Sequence, residues 1–160
     1  MNVQNINLTV NGEAVSASVE PRRSLVDFLR EDLELTGSHI GCEHGVCGAC
    51  TIRVDGAIVR GCLMLAIQVD GGTVQTVEGL SDSGEITDLQ DTFVKRNALQ
   101  CGFCTPGMLM TAADLLNSNP RANRDEIRTH ISGNYCRCTG YQAIVDAIET
   151  TIMNRQGGDS

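Results

Sequence analysis

Gly41-Cys42-Glu43-His44-Gly45-Val46-Cys47-Gly48-Ala49-Cys50 sets three cysteines in one short loop with the spacing Cys-x4-Cys-x2-Cys, and Cys62 follows twelve positions after Cys50. That spacing is the ligand pattern of a [2Fe–2S] loop. Further along, Gln100-Cys101-Gly102-Phe103-Cys104-Thr105-Pro106-Gly107 carries a Cys-x2-Cys pair, and Cys136-Arg137-Cys138-Thr139-Gly140-Tyr141 carries a Cys-x-Cys pair. The eight cysteines therefore fall into two sets of four with none left over. A chain that commits all its thiols to two four-ligand sites is built to move electrons.

The surrounding residues suit that chemistry. A [2Fe–2S] cluster needs four thiolates, two on each iron, and the assembly stays negative even when oxidised. Backbone N–H groups are the nearest compensating donors. Gly41, Gly45 and Gly48 let the first loop take φ > 0 and bring amides close to sulfur. The second set lies just before two expected helix starts, whose positive ends favour an anion. Two structural zinc sites are the main competing reading, but Cys-x4-Cys-x2-Cys and Cys-x-Cys are poor zinc-ribbon spacings. A dithiol redox site at Cys101 and Cys104 lacks the βαβ surroundings it needs. With eight cysteines sufficient, His39, His44 and His130 read as ordinary loop or surface residues. Arg137 reads equally well as a charge offset or a solvated side chain. Met108 and Met110 read as core, Glu43 and Asp55 as solvated.

Composition narrows the class. The 160 residues carry a formal net charge of −8, which argues against binding nucleic acid or an anionic membrane. There is no Trp, with two Tyr and three Phe, so two small metal-stapled cores are expected rather than one large one. The N-terminus alternates polar and apolar residues and has no signal-like apolar run. No segment approaches the ~20 apolar residues of a membrane span. A cytoplasmic protein is expected, where cysteines serve as metal ligands rather than disulfides.

Outward from the first cysteine loop, periodicity predicts strands at 3–10 and 14–19 around Asn11-Gly12, and at 51–54 and 57–60 around Asp55-Gly56. Ser24 caps a helix to about residue 33, with Leu25, Phe28 and Leu29 inward. Residues 73–78 form the last strand. The polar, glycine-containing stretch 79–86 reads as a linker between domains 1–78 and 87–160. Beyond it, helices are expected at 88–96, from a Thr105 N-cap with Pro106 in the first turn to about 119, from an Asn123/Glu126 capping box to about 131, and from about 140 onward. Residues 156–160 read as a frayed tail. The fold class is α+β: a ferredoxin-like domain, then a compact four-helix domain.

Taken together, the three cysteine motifs resemble, in order and over nearly the whole chain, the iron–sulfur subunit of the molybdenum hydroxylases, the family of xanthine oxidase, aldehyde oxidoreductase and carbon monoxide dehydrogenase. The resemblance implies a β-grasp [2Fe–2S] domain followed by an all-α four-helix [2Fe–2S]-binding domain. It implies that Cys42, Cys47, Cys50 and Cys62 hold an outer cluster, and Cys101, Cys104, Cys136 and Cys138 an inner one. It places Gln100 and Cys138 against the pterin of a molybdenum cofactor on a large subunit, with the outer cluster facing FAD on a medium subunit. At this length the chain has room for neither a complete pterin site nor a flavin domain, so separate polypeptides and a dimer of heterotrimers are expected. The implied function is electron transfer from molybdenum to flavin, with no catalytic residue on this chain. An N-heteroaromatic or aldehyde substrate is implied for the complex, with a purine, carbon monoxide or an aromatic thioester as alternatives.

Overall fold

Two hairpins with the same turn chemistry frame the N-terminal half of the computed structural model, which describes residues 2–158. β1 (Gln4–Val10) and β2 (Glu13–Val19) run antiparallel around Asn11-Gly12, with φ of +51° and +87°. β3 (Thr51–Val54) and β4 (Ala57–Arg60) repeat the device at Asp55-Gly56, with φ of +47° and +86°. Positive φ at both central residues gives the turn whose twist matches that of the strands. β5 (Thr73–Gln75) then enters the middle of the sheet, parallel to β1 and antiparallel to β3, giving the order β2-β1-β5-β3-β4. This mixed sheet grips one helix, the β-grasp arrangement.

Ser24 starts that helix as expected, its hydroxyl accepting from the Asp27 N–H at 3.2 Å. The regular turn α1 (Leu25–Asp27) widens at once into a π-helical turn over Phe28–Asp32. Leu25, Phe28 and Leu29 are fully buried against Ile6, Leu8, Val10, Ile52 and Val74. Alternation along β1 thus produces one core, closed by the inner face of the helix.

The expected last strand stops early. β5 ends at Gln75, and α2 (Val77–Asp82) occupies much of the stretch expected to be a linker. Its polar residues are engaged rather than solvated. The Asn11 side chain accepts from the Thr76 N–H and donates to the Thr76 hydroxyl, both at 2.9 Å. Glu78 accepts from the Gly37 N–H at 2.6 Å. Leu80 is buried in the second core.

That core belongs to α3 (Thr87–Lys95), α4 (Thr105–Ser118), α5 (Arg124–His130) and α6 (Gln142–Gly157). α4 is central and buries Met108 and Met110 completely. The capping box at the start of α5 forms as expected, with Asn123 accepting from Glu126 N at 3.1 Å and Glu126 from Asn123 N at 2.7 Å. The start of α4 differs by one residue. The carbonyl of Cys104 accepts the first helical bond, from Met108 N at 3.0 Å, so Cys104 rather than Thr105 is the cap. Of the expected frayed tail, Gln156 and Gly157 belong to α6, and residues 159–160 lie outside the described residues. The two cores meet where α4 packs on β3 and β4.

Candidate iron–sulfur sites

The first cysteine loop wraps its own amides around sulfur. Glu43, Gly45 and Gly48 take positive φ (57°, 83° and 76°). These bends turn the Cys47 N–H onto Cys42 Sγ at 3.4 Å and the Ala49 N–H onto Cys47 Sγ at 3.5 Å. Amides of Cys47, His44 and Val46 hold the Cys42 thiol down to about 6, well below its ordinary value. Cys50 and Cys62 sit within hydrogen-bonding reach of each other, and burial pushes Cys50 up to about 11. The Cys62 turn is fixed by Gly61 N donating to Cys50 O, and Val26 N to Gly61 O, each at 3.1 Å. Gly41 faces the same loop; a Cβ there would stand 3.0 Å from Cys47 Sγ.

The second set is assembled from two segments far apart in sequence. Cys101 and Cys138 bring their sulfurs to 3.4 Å. Cys104 and Cys136 pair with each other. Burial pushes Cys104 up to about 12. Burial also works against the Cys136 thiolate, but the Thr139 hydroxyl at 3.1 Å and amide at 3.4 Å outweigh it and leave the thiol below its ordinary value. The Phe103 N–H does the same for Cys101.

All eight thiols are free, and the structure brings them together in the two expected sets. Among the described residues, no three or more His, Cys, Asp or Glu side chains are arranged to hold a single metal ion. Paired thiols with amides and a hydroxyl aimed at sulfur fit a group that spreads four thiolates over two irons. Gln100 donates from Nε2 to the carbonyl of Cys138 at 3.0 Å.

The two sets are tied to each other. The Tyr135 N–H donates to the carbonyl of Cys47 at 2.8 Å. Asn134, buried between the domains, donates to Gly48 O at 3.1 Å and accepts from the Thr111 hydroxyl at 2.9 Å. Arg60 spans the same seam, donating to Thr51 Oγ1 at 2.5 Å and to Gly133 O at 2.7 Å. Gly48 and Gly107 permit the approach: a Cβ on Gly48 would meet Gly133 O at 2.6 Å, and one on Gly107 would overlap Gly48 O. His39, expected to be ordinary, stacks on Phe103 with ring centroids 4.6 Å apart and donates from Nδ1 to the Phe103 carbonyl at 2.7 Å. Asn134, Arg60 and Thr51 are absent from the motifs. Only the glycines at 48 and 107 hint at the seam, and each is also explained by its own loop.

Comparison with known proteins agrees with this geometry. The family described as the 2Fe-2S iron-sulfur cluster binding domain matches residues 8–76, and the [2Fe-2S] binding domain family matches residues 76–149. The chain is 54% identical over 143 residues to the nicotine 6-hydroxylase small subunit of Paenarthrobacter nicotinovorans, covering 89% of this chain and 86% of the relative. It is 53% identical over 148 residues to caffeine dehydrogenase subunit gamma of Pseudomonas sp. (strain CBB1), covering 91% and 89%. Among solved structures, a chain of quinoline 2-oxidoreductase from Pseudomonas putida 86 superposes with a TM-score of 0.91 at 51% identity, covering 99% of each chain. Two [2Fe–2S]-binding domains in order, and relatives matched along nearly their whole length, place this chain in the family of iron–sulfur subunits of the molybdenum hydroxylases.

Proposed function

We propose that this chain is the electron-transfer subunit of a bacterial molybdenum hydroxylase. Cys42, Cys47, Cys50 and Cys62 hold the outer [2Fe–2S] cluster, and Cys101, Cys104, Cys136 and Cys138 the inner one, in domains 1–78 and 87–160 joined through 79–86. When bound, each cluster supplies a one-electron carrier, and the chain itself makes and breaks no substrate bond. Its residues hold sulfur, compensate negative charge and fix a separation. The observation that carries this reading is the Tyr135 N–H to Cys47 O hydrogen bond, because Tyr135 directly precedes Cys136. A ligand of one set is thus joined to a ligand of the other by backbone and one hydrogen bond.

Electrons enter on the side of Gln100 and Cys138, from a molybdenum–pterin cofactor on a large subunit. They leave on the side of the first loop, toward FAD on a medium subunit. Val46 and Leu63 are exposed beside that loop and offer apolar surface for docking. The assembly is a heterotrimer, doubled, in the cytoplasm. Among the described residues no helix is long and apolar enough to cross a membrane. The substrate class is an N-heteroaromatic ring. Relatives named for nicotine, caffeine and nicotinate are 54%, 53% and 47% identical, while an Escherichia coli relative named for aldehydes is 38% identical.

The test is low-temperature EPR on the anaerobically reduced complex, with iron and labile sulfide counted on the same sample. Two distinct rhombic signals with iron equal to sulfide are expected. Zinc without sulfide removes the electron-transfer reading. Adding an N-heteroaromatic base to the oxidised complex is expected to bleach the cluster absorbance. Bleaching by aldehydes alone overturns the substrate class.

A further inference from the structure

Cys136, Thr139 and Tyr141 close a hydrogen-bonded circuit at one edge of the second cysteine set. The Thr139 hydroxyl lies 3.1 Å from Cys136 Sγ, and the Thr139 N–H points at the same sulfur from 3.4 Å. Tyr141 donates its own N–H to Thr139 Oγ1 at 3.1 Å, and its phenol oxygen accepts the Cys136 N–H at 3.0 Å. Tyr141 reaches both because its backbone takes φ +69°, ψ −22°, the left-handed region that so large a side chain rarely adopts. The circuit also decides which atom carries the proton. Thr139 Oγ1 already accepts from the Tyr141 N–H, and a cysteine serving as a metal ligand is a thiolate with no proton to give. The hydrogen between Thr139 Oγ1 and Cys136 Sγ is therefore the hydroxyl's own. The first set is served differently, by the Cys47 and Ala49 amides on Cys42 and Cys47. Among the described residues, Thr139 is the one side chain other than a cysteine that donates to a cysteine sulfur.

We propose that the Thr139 hydroxyl, aimed by the Tyr141 N–H, raises the reduction potential of the cluster held by the second set above the value that backbone amides alone would give it. Reduction adds one electron and one negative charge, with no proton moved. The ligand sulfurs share that added charge, so a donor at Cys136 Sγ stabilises the reduced state more than the oxidised one. The Tyr141 N–H strengthens the effect, because a hydroxyl that accepts a hydrogen bond is polarised to donate a better one. Backbone amides are present whatever residue occupies a position, whereas a hydroxyl depends on the side chain. The potential of the second set is thus adjustable at position 139 without altering a ligand. A higher potential makes that set the readier receiver of an electron entering beside Gln100 and Cys138.

The inference rests on the assignment of Cys101, Cys104, Cys136 and Cys138 to one cluster. The experiment is an EPR-monitored redox titration of the intact complex carrying Thr139→Val, Thr139→Ala or Thr139→Ser. The inner signal is identified as the one that Cys138→Ser removes. Val keeps the shape of the side chain and loses the hydroxyl, and all three variants keep the amide at position 139. In the Val and Ala variants the reduced-to-oxidised ratio of the inner signal, at fixed potential, is expected to fall about tenfold, a shift of about 59 mV to lower potential for one electron. The outer signal stays in place, and Thr139→Ser keeps both wild-type potentials. Two intact signals with unchanged potentials in Val and Ala overturn the inference alone and leave the hydroxyl a role in the turn only. An equal shift in the Ser variant, or an equal shift of both signals, also overturns it. A wild-type complex without a second [2Fe–2S] signal overturns the ligand assignment, and the inference with it. If Val fails to assemble, Ala decides by the same reading.

Discussion

Tyr135 donates its backbone N–H to the carbonyl of Cys47 at 2.8 Å, so the segment that delivers Cys136 and Cys138 is hydrogen-bonded to the loop that delivers Cys42, Cys47 and Cys50. The separation between the two cysteine sets is therefore fixed by main-chain atoms, which single side-chain changes do not remove. It is the seam around this bond that substitutions can loosen.

The ligand sets are separable by substitution. Cys62→Ser is expected to abolish one rhombic EPR signal and spare the other, and Cys138→Ser to do the reverse. Each variant should lose half the iron of the wild type. Loss of both signals from either single change would refute the division into two sets of four.

Asn134 is the polar centre of the seam, with bonds to Gly48 O and the Thr111 hydroxyl. Asn134→Ala takes the acceptor from the buried Thr111 hydroxyl, while Gly48 O keeps the Thr51 amide and hydroxyl, and the unpaired hydroxyl costs about 1–3 kcal/mol. Chemical denaturation followed at both clusters is expected to show a lower midpoint for the two together. A midpoint equal to that of the wild type would show the seam to be unimportant for stability.

Gly107→Ala places a methyl group against the carbonyl of Gly48, backbone against backbone. Relief requires α4 to move away from the first loop, and overpacking of this kind costs about 1–3 kcal/mol. The expected signature is spectroscopic as well as thermal: weaker magnetic interaction between the two reduced clusters, measured from EPR line splitting.

The carboxyl of Asp88 is held below its ordinary 3.8 by the Arg155 guanidinium, which donates to it at 2.7 and 2.9 Å. A carboxyl lowered in the folded state contributes stability above its unfolded value and loses it as pH falls through the folded value. Asp88→Asn is therefore expected to be less stable than the wild type at pH 6. The gap should begin to narrow near pH 4 and continue to close at lower pH. Denaturant midpoints at several pH values would check this, and a gap that widens in acid would contradict it.

What was legible in the sequence was local. Asn11-Gly12 and Asp55-Gly56 announced their hairpins because both central residues must take positive φ, and few residue pairs do so readily. Asn123 and Glu126 announced α5 because the capping box lies within four consecutive residues. The cysteines announced their sets because spacing constrains a ligand loop. α2 was missed because residues 77–82 bury mainly Leu80, too little for a helical period to show, and because Glu78 and Thr76 find partners at Gly37 and Asn11. The seam was missed for the same reason on a larger scale. Asn134 and Gly48 are 86 positions apart, and nothing in either neighbourhood names the other.

The close approach of Gly48 to Gly107, sealed by Asn134, bears on how such subunits can be recombined. The two halves look like cassettes, each with its own core and its own cysteines. Yet a chimera that takes its sheet domain from one parent and its helical domain from another inherits a contact with no room for a side chain on either side. Exchange of halves is workable between parents that share both glycines and the asparagine. Elsewhere the three positions have to be transplanted as a unit.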